Sequence, residues 1–249
     1  MTMYSQAEAP ARPWTAEVAV EHTRVIALAG LTVGVLVGGV GSRLAMLLLR
    51  VTSADSVHGL ISDDGFFIGR VTIGGSYNLL LLGAMFGVIG AAAYGLVAPW
   101  LIGPTWFQDL TASLGAGAVV GGMLIHATGV DFTVLTPHAL AVALFIAIPA
   151  LFGALIGPAR RRFARPHTWA AAGRRRWLVP LLAAACFPPS LIVIAMVFLV
   201  LLAWTPGREA RLSERVHAKV AARTAVQGAW LLVAVLGLAA LVDDLQAIL

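Results

Sequence analysis

Six apolar runs, separated by short polar or glycine- and proline-bearing stretches, set the pattern of this chain. They cover Val25–Leu49, Tyr77–Trp100, Trp106–His126, Pro137–Gly157, Leu178–Trp204 and Thr224–Val242. Each is close to the ~20 residues that cross a hydrocarbon core, with almost no charge in its middle. The runs are continuous rather than alternating, which argues against a spanning β-barrel. The pattern predicts an all-α fold, a polytopic transmembrane helix bundle of about six spans. Its divisions are an N-terminal cytoplasmic or interfacial segment (1–24), a four-span block (25–157), an arginine-rich cytoplasmic loop (158–177) and a C-terminal block (178–249). That last block holds two apolar segments joined by a basic connector.

Between the first two runs lies VTSADSVHGLISDDGFFIGRVTIGGS, residues 51–76. Asp64-Gly65 is a tight-turn pair, and Phe66–Ile73 is rich in β-formers, so a short hairpin on the outer surface is expected there. Inside the runs, small residues recur every fourth position: Gly30, Gly34 and Gly38, then Gly83 and Gly87, then Gly117 and Gly121. Four residues advance about 400° around a helix, so each set forms one smooth stripe suited to close helix packing. Pro149 removes a donor in mid-helix, and a kink is expected near it. Arg43 lies about two turns inside the end of its run and is expected to snorkel to the headgroups.

Composition sharpens this picture. Of 249 residues, 59% are hydrophobic and 12% charged, and the mean hydropathy is +0.89. A soluble domain carries about twice that charged fraction. The net charge is +5, but the basic residues flank apolar runs. Orientation and contact with anionic lipids explain them better than nucleic-acid binding does. Pro158–Trp177 holds seven of the seventeen basic residues and no acid. Arg160, Arg161, Arg162, Arg174, Arg175 and Arg176 are therefore the expected contacts to lipid or an acidic partner. The same loop sets the orientation: the arginines and the N-terminus face the cytoplasm, in the inner (plasma) membrane. A membrane-protein partner or a second copy of the chain fits the glycine stripes.

The C-terminal block admits two readings. If Leu178–Trp204 crosses once, the chain has six spans and both termini are cytoplasmic. The five bases of Thr205–Arg223 then lie outside, against the charge rule. If the run turns back at Pro188-Pro189, those bases stay inside, but the run is short for two crossings at about 20 residues each. Six spans is the expectation taken here. Cys186, the single cysteine, excludes an internal disulfide or a CxxC site and is expected to be inert packing.

Asp63, Asp64, His126, Asp131 and His138 would gather at the outer face. Carboxylate and imidazole are suitable ligands for a divalent metal. Their spacing matches no metal motif, and turn, cap and interfacial roles account for each of them. No cofactor is predicted.

GGVGSR (Gly38–Arg43), SDDGFFIGR (Ser62–Arg70) and GVDFT (Gly129–Thr133) resemble an uncharacterised group of multipass bacterial membrane proteins. The likeness covers the four-span block and, more weakly, the tail near Leu241–Leu249. That group has no established activity, so the resemblance implies the membrane bundle and no site residue. The expected function is a membrane scaffold or accessory subunit that binds a partner or lipid, with no enzymatic role required. The alternative is a small-solute or ion transporter with an outward Asp/His capture site. A third reading is a metal-assisted membrane enzyme.

Overall fold

A computed structural model describes residues 16–54, 57, 59, 61, 71–125, 129, 132, 134–203, 228, 232–233, 235–244 and 246. Its first element is one long helix. It starts as α1 (Ala16–Val33), widens into π-helical turns over Gly34–Gly41 and continues as α2 (Ser42–Thr52). The end of the segment expected to be cytoplasmic or interfacial (1–24) is therefore part of this helix, from Ala16 on. Its 37 residues span about 55 Å at 1.5 Å per residue, longer than a ~30 Å hydrocarbon core is thick.

Next come α3 (Ile73–Val97), prolonged by a 3-10 turn at Ala98–Trp100, then α4 (Thr105–Leu124), α5 (His138–Phe163), α6 (Arg175–Ala185) and α7 (Pro188–Ala203). A last helical segment covers 235–244. The described residues are 84% helical, with no strand among them. Most of the hairpin expected at Phe66–Ile73 lies outside them. Its final residues serve α3 instead: Ile73 begins the helix, and the Thr72 hydroxyl caps it by accepting from the Gly75 N–H at 3.0 Å.

Three helices are long and apolar enough to cross a membrane: Ala16–Thr52, Ile73–Trp100 and His138–Phe163. α4 is 20 residues long, but Thr105, Gln108, Asp109, Thr111 and Ser113 make its first half polar. α5 continues as an α-helix through both Pro149 and Pro158.

Glycine governs how α1 meets α3. A Cβ built on Gly30 would lie 2.6 Å from the Gly87 carbonyl oxygen, and one on Gly34 would lie 2.2 Å from that of Gly83. Conversely, a Cβ on Gly83 would lie 2.6 Å from the Gly34 oxygen, and one on Gly87 would lie 2.2 Å from the Gly30 oxygen. Backbone touches backbone in both directions, so this crossing admits no side chain. Gly38 is slightly looser, its Cβ position 3.2 Å from the Gly83 Cα. α4 and α5 pack by related means. Gly117 faces Ala150, Gly121 faces Ile146, and a Cβ on Gly153 would lie 2.4 Å from the Ala112 oxygen. The Ser113 hydroxyl donates across this contact to the Ala150 carbonyl at 2.9 Å.

The segment 178–203 reverses. The rings of Trp177 and Phe198 meet edge to face with centroids 6.0 Å apart. Along one continuous helix, residues so separated in sequence would stand about 31 Å apart. α6 and α7 are thus the arms of a helical hairpin with its turn at Cys186-Phe187. Pro188 starts the second arm, where its missing N–H costs nothing. The turn is satisfied by protein. The Tyr77 hydroxyl donates to the Cys186 carbonyl at 3.0 Å, and buried Ser190 donates its hydroxyl to the Phe187 carbonyl at 2.7 Å.

Direction follows from the contacts. α1 and α3 are antiparallel, with Gly30 beside Gly87 and Gly39 beside Leu80. The final segment runs parallel to α4, Gly237 lying at Ala118–Gly122 and Leu241 in the apolar cluster with Leu49, Ile125 and Leu135. The bundle therefore has two distinct ends. One holds the start of α1, the α3–α4 turn and the end of α5. The other holds the end of α2, the end of α4 and the start of α5, joined where Ser53 and Thr136 exchange hydrogen bonds of 3.0 Å.

Candidate functional site

The first of these ends is built around arginines. Arg161, on the penultimate half-turn of α5, forms a two-pronged pair with Asp109 of α4: Nη1 to Oδ1 at 3.0 Å and Nη2 to Oδ2 at 2.5 Å. Arg160, its neighbour, turns the other way and lies over the Tyr94 ring of α3, 5.4 Å from the centroid. The Arg160 Nε is buried and has no hydrogen-bond partner. Arg24 of α1, only 1% exposed, donates through Nε to Glu21 at 2.9 Å and through Nη2 to both Glu21 and the Phe163 carbonyl, the latter at 2.9 Å.

Two glycines make room for this group. A Cβ on Gly157 would fall 2.2 Å from the Asp109 carboxylate and 2.7 Å from the Tyr94 hydroxyl. One on Gly95 would press on the Arg160 guanidinium at 3.0 Å. A cleft of about 380 Å³ opens among these elements, walled by Glu21, His22 and Val25 of α1, Tyr94 of α3, Thr105 and Gln108 of α4, and Arg160 and Arg161 of α5. Gln108 also pins the α3–α4 turn, its amide donating to the Gly103 carbonyl at 2.9 Å. A second hollow of about 480 Å³ lies in the following loop, lined by Arg162, Arg165, Pro166, His167 and Thr168.

Of the arginines singled out from sequence, Arg160 and Arg161 enter the first cleft and Arg162 the second. Arg174 and Arg175 are exposed at the head of α6, with Arg176 half-buried. The seven glycines lie in the two helix contacts described above. The Asp/His group is different: Asp63, Asp64, His126 and Asp131 lie outside the described residues. His138 begins α5 at the opposite end, its Nδ1 buried with no hydrogen-bond partner. Among the described residues, no three His, Cys, Asp or Glu side chains gather as a metal site would need. Arg43 departs from simple snorkelling, since its Nε and Nη2 are buried without a hydrogen-bond partner.

Sequence reasoning passed over Asp109, Arg24, Glu21 and Gln108. Asp109 did carry a signal. It is one of only two acids between Arg70 and Trp204, and it sits in the first turns of an apolar helix whose neighbour ends in arginines. The arrangement brings two guanidinium groups, those of Arg160 and Arg161, to one cleft wall, the side-chain chemistry that suits an anion. No protein-family model, curated protein or solved structure matches this chain.

Proposed function

We propose that this chain is a multipass inner-membrane protein serving as a scaffold or accessory subunit, whose basic end holds anionic lipid headgroups or the acidic face of a partner. The observation carrying this reading is the separation of charge along the bundle. Arg24, Arg160, Arg161, Arg162, Arg165 and Arg174–Arg176 gather at one end, whereas Ile73–Trp100 has no ionisable side chain but its tyrosines and α5 has none between His138 and Arg160. Transport sites sit near the midplane and use ionisable groups or broken helices there. In this bundle the midplane is occupied by interlocked glycine backbone.

In this proposal the basic end faces the cytoplasm, by the preference of arginine for that side. The crossing elements are the long first helix, α3, α4, α5 and the final segment, while the α6–α7 hairpin enters from the cytoplasmic side and returns. That count differs from six single crossings. The hairpin hands the chain back, at Ala203, toward the end where Arg174 lies. The likeness to the uncharacterised multipass group is part of the same proposal.

The test is reconstitution. Protein purified into nanodiscs from a mixed bilayer should retain anionic over zwitterionic lipid, measured by native mass spectrometry, and Arg174→Glu with Arg175→Glu should reduce that preference. In liposomes it should pass no more solute than protein-free vesicles. Saturable flux of any ion or small solute would replace the scaffold reading with the transporter.

A further inference from the structure

We infer that the cleft between α1, α3, α4 and α5 is a binding site for the phosphate group of an anionic amphiphile, with Arg160 as its recognising cation. This rests on the proposed anionic-lipid role and assigns it one specific site.

The reasoning starts from where each charge is spent. Glu21 is the one carboxylate in the cleft wall, and Arg24 engages both of its oxygens. Asp109 is taken up by both terminal nitrogens of Arg161. What remains is Arg160. It rests on the Tyr94 ring, no carboxylate pairs with it among the described residues, and its buried Nε lacks a hydrogen-bond partner. An aromatic face beneath a guanidinium holds its plane without using the N–H edge. That edge matches two oxygens of a phosphate. The bundle keeps this place open, since a side chain at Gly95 would displace the guanidinium and one at Gly157 would displace Asp109 and the Tyr94 hydroxyl. Thr105, in the first turn of the 20-residue α4, also borders the cleft. That turn has no side-chain cap, so its N–H groups add a positive field.

The source of the phosphate follows from height and lining. Trp106 and Trp169, each 65% exposed, lie in the segments that flank the cleft, where aromatic residues mark the headgroup level. Val25, Ala98 and Ala164 give the cleft an apolar side against which a glycerol or acyl chain packs. At about 380 Å³ it falls within the roughly 300–1,000 Å³ of small-molecule sites.

The experiment compares two probes on the purified full chain: dihexanoyl phosphatidylglycerol below its micelle concentration, and inorganic phosphate. Arg160→Gln should weaken the phospholipid at least tenfold, with Arg160→Lys intermediate, and more than Arg174→Gln with Arg175→Gln does. Ala164→Trp, which blocks the mouth with every arginine intact, should weaken it similarly and guards against a folding effect of the first variant. Phospholipid binding that ignores both Arg160→Gln and Ala164→Trp overturns the site. If Arg174 and Arg175 alone control it, the general basic-end role survives without this cleft. Inorganic phosphate binding as tightly as the phospholipid overturns the headgroup assignment.

Discussion

Gly87 has no room for a side chain, and the consequence is local and measurable. Its Cβ position lies 2.2 Å from the Gly30 oxygen and 2.6 Å from the Gly34 Cα, both backbone atoms that cannot swing aside. Gly87→Ala should therefore push α1 and α3 apart and destabilise the protein by about 1–3 kcal/mol, the usual range for overpacking. Gly74→Ala, with nothing within 4 Å of its Cβ, should be nearly silent. Steric-trap unfolding of the two variants gives the comparison, and equal stability would mean that the helices cross elsewhere. The Asp109–Arg161 pair makes a weaker demand. Arg161 is 42% exposed, so water screens the pair, and a double-mutant cycle should return a coupling of about 1 kcal/mol or less. A coupling several times larger would place the pair in a much drier setting. The glycine spacing could be read in one dimension because the helical period alone puts those residues on a stripe. The pairing of Asp109 with Arg161 could not, because it depends on the register of α4 against α5, and no local pattern encodes that.

At the scale of elements, the hairpin carries the sharpest expectation. With Cys186 changed to Ala, cysteines placed at Trp177 and Phe198 should be joined by a short bifunctional maleimide, and the linked peptides recovered by mass spectrometry. A pair at Trp177 and Ser190 serves as the control, since the second arm moves away from its start. No link between 177 and 198 would return the segment to a single crossing. The break itself was visible in Pro188-Pro189, and so was the conflict of the single crossing with the following bases. The reversal was one of two readings and was set aside, because a 27-residue run is short for two crossings at about 20 residues each. What distinguishes the two is a ring contact across the arms and a tyrosine on α3 placed to satisfy the turn. The boundaries of the first helix were misjudged for a related reason. Its polar opening, AEVAVEHTR, looks interfacial by composition, yet Arg24 is buried beneath the end of α5. Tertiary partners there override the local pattern.

For the whole molecule, the proposed orientation sets the two ends of the bundle in different compartments. A cysteine at Asp243, in a Cys186→Ala background, should react with an impermeant thiol reagent in intact cells. One at Arg174 should react only after permeabilisation. Both labelling from one side would sink the arrangement in which the final segment runs parallel to α4. Composition and hydropathy sufficed to read a helical membrane bundle with a basic end, because those properties sum over the chain. The cleft could not be read, since it needs α1, α3, α4 and α5 brought together. The bond from Arg24 to the Phe163 carbonyl, which closes across 139 residues, has a further consequence in time. A chain made at 5–20 residues per second leaves roughly 7–28 s between synthesis of the two partners. Throughout that interval Arg24 has only Glu21 for company, and the first helix enters the bilayer with its anchor unmade. That anchor closes only as α5 emerges and its last carbonyl reaches the oldest part of the protein. A chain truncated before Phe163 should consequently insert yet remain exposed to quality-control proteases.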